Sequence, residues 1–316
     1  MKPTRIVFPG FWFGQSDINL AKEQAKRGVG GFCVYGATAA QTKNFIDTVR
    51  EASPYDHLLI CADIEEDLSE VVTDAPTLPS NAELGKNADT EGAYRKGLIS
   101  ARMARSIGID WLLAPVVDVG YQSPAFCETP MLVARMSGDY VAGVSNGGLL
   151  NCVKYFPGVS GFLKTLAQME DAEFVPYKHM FRRADAVMPS DMVFANIDPA
   201  NRAMMSENII KDLLKKRLNY KGCVIGAPLY KSRIKNESAA ALKMINCGVE
   251  MIMAPREANA ILEMVEREFD KGTIVDAVIR SISSLEMFTS KVTSFAMTAF
   301  SQQETFEQAK NFRKQK

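Results

Sequence analysis

The sequence predicts an α/β protein, a (β/α)8 barrel of the TIM type in one domain spanning residues 1–316, and three observations carry that prediction. Eight short apolar runs recur along the 316 residues, segments of helical period separate them, and no internal repeat or linker-like composition divides the chain. Short strands alternating with helices indicate parallel strands joined by crossover helices. Eight such units in one chain favour a closed barrel over an open sheet.

Taken in order, Ile6–Phe8 precedes a helical pattern over Ser16–Arg27, and Gly31–Tyr35 precedes Ala39–Ala52. Leu58–Ala62 leads to Thr90–Ile107, Trp111–Pro115 to Pro130–Asn146, and Leu149–Val153 to Pro176–Arg183. Ala186–Met188 leads to Ser206–Arg217, Cys223–Ile225 to Ser238–Cys247, and Met251–Met253 is the eighth run. Most of the helical segments place apolar residues three and four apart. Gly28-Val29-Gly30-Gly31 lies before a strand, so it reads as a helix-ending turn and not as a dinucleotide loop. Ser206 reads as an N-cap, and Asn219-Tyr220-Lys221-Gly222 as the turn into the seventh strand. Val278, Ile282, Leu285 and Phe288 predict a closing helical extension from about residue 274, with Lys310 to Lys316 as a solvated tail.

The charges balance, 37 Lys and Arg against 37 Asp and Glu, which argues against nucleic acid or an anionic membrane as partner. At 47% hydrophobic and 23% charged residues the composition is that of a globular protein and excludes disorder, collagen and coiled coil. No run approaches the roughly 18 apolar residues of a membrane helix. Prolines and Gly10 break any signal-peptide core at the start, so a cytoplasmic location is expected. The six cysteines form no CxxC pair and are expected to be reduced, most of them filling the core. His57 and His179, the two histidines, show no metal-ligand spacing, and neither metal nor cofactor is expected.

In such a barrel the functional surface is built at the C-terminal ends of the strands. The polar residues there are Asp63-Ile64-Glu65-Glu66-Asp67 after the third run, Asp118 after the fourth, Lys154 and Tyr155 after the fifth, and Ser190-Asp191 after the sixth. Several carboxylates and one lysine suit hydrogen bonding to a polyhydroxylated ligand. Glu66 and Asp67 read better as helix caps or ion-pair partners.

Five short motifs, arriving in order on the expected strands, carry a family resemblance. They are Cys61-Ala62-Asp63-Ile64-Glu65, Thr77-Leu78-Pro79-Ser80, Leu113-Ala114-Pro115-Val116-Val117-Asp118-Val119, Lys154-Tyr155-Phe156-Pro157-Gly158 and Val187-Met188. Over roughly residues 28–290 the chain resembles the N-terminal barrel domain of glycoside hydrolase family 3, and within it the single-domain β-N-acetylhexosaminidases. The resemblance implies a retaining mechanism, with an aspartate nucleophile after the seventh strand and a histidine acid/base, partnered by an aspartate, on the loop after the fifth. It also implies a carbohydrate or amino-sugar ligand, with Asp63 accepting from sugar hydroxyls, Lys154 donating to them, Tyr155 in place of a sugar-contacting histidine and Asp118 supporting the surrounding loops.

This chain departs from the pattern at both catalytic groups. Gly226-Ala227-Pro228-Leu229 puts Ala227 at the nucleophile position, and the loop Lys154-Tyr155-Phe156-Pro157-Gly158-Val159-Ser160 holds no histidine. Pro124 replaces an arginine, and Ser190-Asp191 replaces an Ala-His pair. Asp171 and Glu173 either bring a carboxylate to the mouth or serve a helix N-terminus. Three functional readings stay open. The first is a non-catalytic relative that binds a carbohydrate or a protein. The second is a glycosidase with relocated carboxylates drawn from Asp63, Glu65, Asp118 and Asp191. The third is an interaction scaffold whose apolar loop residues Val159, Phe162, Leu163, Leu166 and Met169 pack over the mouth.

Overall fold

The computed structural model describes residues 2–120, 124–295 and 301–315. Each of the eight apolar runs lies on a barrel strand. The first strand is interrupted at Pro9, which has no N–H to give, and so forms two short segments, β1 (Val7–Phe8) and β2 (Gly10–Trp12). There follow β3 (Gly31–Tyr35), β4 (Leu59–Ala62), β5 (Trp111–Leu112), β6 (Leu150–Phe156), β7 (Ala186–Pro189), β8 (Cys223–Val224) and β9 (Ile252–Met253). β2 through β8 pair in chain order and in parallel. A bridge between Ile225 and Met251 joins β8 to β9, and β9 pairs with β1 through Val7–Ile252 and Phe8–Met253, which closes the barrel. Barrel strands are covered on the inside by one another and on the outside by helices, which is why they read as unbroken apolar runs. β3, β4 and β7 are buried along their whole length.

Local chemistry sets the helix ends. Asp17 caps α1 (Ile18–Arg27) by accepting from the Asn19 N–H, and Gly28 ends it at φ +92°, a left-handed conformation suited to glycine. Thr38 and Gln41 form a reciprocal capping box at α2 (Ala39–Ala52), as do Ser80 and Glu83 at α3 (Asn81–Lys86). α4 (Thr90–Ser106) and α5 (Pro130–Asn146) approach closely, because a Cβ on Gly97 or Gly143 would stand 2.1 Å from a backbone oxygen of the other helix. The predicted helix over Ser206–Arg217 is present, but it is wound as a π-helix over Asn208–Arg217. The Ser206 hydroxyl does accept from the Ile209 N–H (3.1 Å).

After α6 (Leu166–Glu170), α7 (Phe174–Met180), α8 (Glu237–Cys247) and α9 (Ala258–Asp270), the chain closes with α10 (Val275–Ser294). Val278, Ile282, Leu285 and Phe288 are buried there, and the Phe288 ring meets Trp111 edge to face at 5.0 Å. The expected solvated tail is corrected in part. Residues 310–314 continue α11 (Gln302–Lys314), whose Phe306, Ala309 and Phe312 form a buried face packed on α4. Lys316 lies outside the described residues. No helix among the described residues is long and apolar enough to cross a membrane.

Candidate functional site

Asp63 follows the last residue of β4, and Lys154 sits within β6, so two strands on either side of β5 deliver both to the mouth. The Lys154 ammonium donates to Asp63 Oδ1 (3.0 Å) and to the Ile64 carbonyl (2.8 Å). Lys231, on a single helical turn after Pro228, places its ammonium 2.8 Å from Asp63 Oδ2. The Asp63 and Lys154 side chains are fully covered. Burial by itself raises a carboxyl pKa, but here the two ammonium groups outweigh it and hold Asp63 below its ordinary value. Burial likewise works against the Lys231 charge, and Asp63 more than offsets it.

The neighbouring loop is ordered by its own carboxylates. Glu70 accepts from the Glu65, Glu66 and Asp67 amides. Glu66 accepts from the buried Lys96 ammonium (2.9 Å), and Asp67 accepts from the Ser69 and Leu78 amides, so both serve as partner and cap. This fixes Glu65, whose Oε1 accepts from the Tyr155 hydroxyl at 2.6 Å. An aromatic cluster flanks Asp63 on its other side. Trp12 stacks on Tyr35 (5.3 Å, 7°), and Tyr230 meets both edge-on at 5.0 and 5.1 Å.

Two cavities open at the mouth. One, of about 560 Å³, is bounded by Tyr155, Val159, Ser190, Asp191, Arg202, Ala227, Lys231 and Ser232. The other, of about 500 Å³, is bounded by Val116, Asp118, Val119, Tyr155, Val159, Ser160 and Phe162. Tyr155 and Val159 belong to both and stand between them. Neither Asp63 nor Lys154 is among the described residues that line them. As folded these two residues face each other and Lys231, because a buried charge must be matched. Tyr155, Asp118 and Asp191 do reach the cavities, while Glu65 stands behind the Tyr155 hydroxyl.

Asp118 Oδ1 accepts from the Val159 N–H (2.9 Å). Burial pushes its carboxyl up to about 7; the Val159 N–H opposes that rise, and Glu173 and Glu65 add to it. Glu173 does not cap α7. Instead it is buried, accepts from the Ser160 hydroxyl at 2.9 Å and pairs with Lys164. Asp171 is exposed at the end of α6. Asp191 pairs with Arg202 at 2.7 Å; burial raises its carboxyl pKa and Arg202 opposes the rise. Ala227, just beyond β8, is among the residues that line the larger cavity. Phe162 and Leu163 are exposed, so the apolar loop covers the mouth only in part. His57 pairs with Asp110 (3.0 Å) at the opposite end of the barrel, and His179 is exposed on α7. The described residues hold no cluster of metal-ligating side chains.

Sequence reasoning passed over Lys231, Arg202 and the Trp12–Tyr35–Tyr230 cluster. Trp12 and Tyr35 end the first two strands, a position that could have marked them. Lys231 and Arg202 lie in loops whose local pattern distinguishes neither from the other basic residues.

Residues 15–284 match the glycosyl hydrolase family 3 N-terminal domain. The chain belongs to this family. It is 25% identical over 257 residues to a β-N-acetylglucosaminidase/β-glucosidase of Cellulomonas fimi, covering 71% of this chain and 45% of that protein. A β-hexosaminidase of Xylella fastidiosa is 26% identical over 307 residues, covering 88% of this chain and 91% of the relative. The chain spans about half the length of several curated relatives it matches. Among solved structures, a family 3 β-N-acetylglucosaminidase from Paenibacillus sp. superposes with a TM-score of 0.85 at 23% identity, over 98% of this chain and 67% of that one. The likeness establishes the family 3 barrel fold.

Proposed function

We propose that this chain is a carbohydrate-binding family 3 barrel that has lost ordinary retaining hydrolysis, with an N-acetylhexosamine-type sugar in the 560 Å³ cavity. The observation that carries the reading is Ala227 on the wall of that cavity, at the position where the resemblance implies the nucleophile. Retention needs a nucleophile on one face of the sugar and a proton donor on the other, and a methyl group cannot attack carbon. The loop after β6 adds support, since Tyr155 stands where a sugar-contacting histidine is implied and neither histidine of the chain lies on that loop. A cavity of this size suits a small ligand. The sugar class rests on the names of the relatives, β-N-acetylglucosaminidase and β-hexosaminidase.

A second reading, a glycosidase with relocated carboxylates, is favoured by Asp118. A carboxyl held near 7 beside a cavity has the property of a general acid. Glu65 and Asp191 are then the candidate partners.

One assay separates the two. Purified protein and Asp118→Asn are given a fluorogenic β-N-acetylglucosaminide and a small β-glycoside panel, while N-acetylglucosamine binding is followed by calorimetry. The expected result is no turnover in either protein, with binding that is lost when Ala227→Phe fills the cavity. Turnover that disappears in Asp118→Asn overturns the non-catalytic reading.

A further inference from the structure

The two cavities at the mouth share a wall, Tyr155 and Val159, and differ in what lines the rest of them. Beside its apolar residues the larger one has the polar side chains of Ser190, Asp191, Arg202, Lys231 and Ser232. The second, of about 500 Å³, adds the apolar Val116, Val119, Pro124, Ala125 and Phe162. Apart from Tyr155, only Asp118 and Ser160 bring polar side chains to it among the described residues.

Those polar groups are engaged with the protein. Asp118 Oδ1 accepts from the Val159 N–H (2.9 Å), and the Ser160 hydroxyl donates to the buried Glu173 carboxylate (2.9 Å). The Tyr155 hydroxyl donates to Glu65 (2.6 Å), which lines neither cavity, so Tyr155 offers a ligand mainly its ring. The second cavity therefore has little to hydrogen-bond and much apolar surface to cover. Sugar hydroxyls placed there would lose water without finding partners. At its edge Phe162 is 42% exposed and the adjoining Leu163 82%, so apolar surface there still meets water. Covering that surface is favourable, and the Phe162 ring suits an aromatic group packed against it. Because the cavities adjoin at Tyr155 and Val159, such a group lies within reach of a sugar held in the larger one.

We infer that the second cavity is an apolar subsite and that the ligand of the mouth is a sugar carrying an uncharged aryl group, the sugar in the larger cavity and the aryl group against Phe162. This rests on the carbohydrate reading above and names its ligand class. Phe162 is thereby a specificity-determining residue, and Tyr155 and Val159 divide the two parts of the ligand.

The experiment measures affinities by calorimetry for methyl and phenyl 1-thio-β-N-acetylglucosaminide, whose sulfur link resists hydrolysis, and for thiophenol methyl ether as the aryl group without its sugar. The expected result is that the phenyl glycoside binds about tenfold or more tightly than the methyl one, a gain that needs only about 55 Å² of apolar surface covered. Phe162→Ser, at a partly exposed ring, and Ala125→Phe, which fills the second cavity, each bring the phenyl glycoside down to the affinity of the methyl one and leave the latter within about twofold of its original value. Melting curves of both variants confirm folding, and Phe162→Ser decides alone if Ala125→Phe does not fold. Equal binding of the two glycosides, or a phenyl preference that persists in the folded variants, overturns the apolar subsite and leaves the carbohydrate reading standing. No binding of either glycoside, or the aryl ether binding as tightly as the phenyl glycoside, overturns both.

Discussion

On the side of the mouth built after β4 and β6, Asp63, Lys154, Glu65 and Tyr155 form a closed set in which each charged or polar group faces a partner at 2.6–3.0 Å. On the side built after β7 and β8, Asp191, Arg202, Ala227 and Lys231 border open space. The difference follows from solvent access. A charge without water must be matched by protein, so the first side is sealed and specified in detail. A charge beside water is partly satisfied by solvent, so the second side keeps its ion pairs, Asp191 with Arg202 and Lys231 with Asp63, at the edge of the cavity.

That contrast is broken most forcefully at Asp63. Asp63→Ala leaves Lys154 buried without a carboxylate and is expected to destabilise the protein by about 3–5 kcal/mol, read from urea unfolding midpoints at neutral pH. A loss under about 1 kcal/mol would show that the sealed side is not held by its charges.

A pH series sharpens the comparison at Asp118. Its folded pKa, about 7, stands above an unfolded value of about 3.9. Between those values the native state holds a proton that the unfolded chain has released, so stability falls as pH rises through that window. The fall should be on the order of 1–3 kcal/mol, since Asp118 keeps some solvent contact that screens it. Asp118→Asn should flatten the profile, and an unchanged profile in that variant would assign the titration elsewhere.

The smallest effect is expected on the open side. Asp191→Ala breaks a partly exposed pair with Arg202 and should cost about 1 kcal/mol or less in unfolding free energy. A cost near that of Asp63→Ala would erase the distinction between the two sides.

Much of the barrel was legible because its signals are local. The apolar runs need no partner to be recognised, Pro130 marks the start of α5, and Gly28 marks the end of α1. The tail was misread because the apolar face of Phe306, Ala309 and Phe312 acquires meaning only when α4 covers it. At the site, strand-end position was enough to single out Asp63, Asp118, Lys154 and Asp191. Position did not reveal that Asp63 and Lys154 neutralise each other across 91 positions of chain.

The sequence by itself determined the order of strands and helices, the family to which the barrel belongs, and the identity of the side chains at the strand ends. Those properties rest on periodicity, on turn chemistry and on short motifs, each confined to a few consecutive residues. Only the tertiary structure decided which charges pair with one another and which of those pairs are sealed from solvent. That outcome depends on the approach of Lys231 to Asp63 and on the burial of Asp118, and both are set by distances and solvent exposure between loops far apart in the chain.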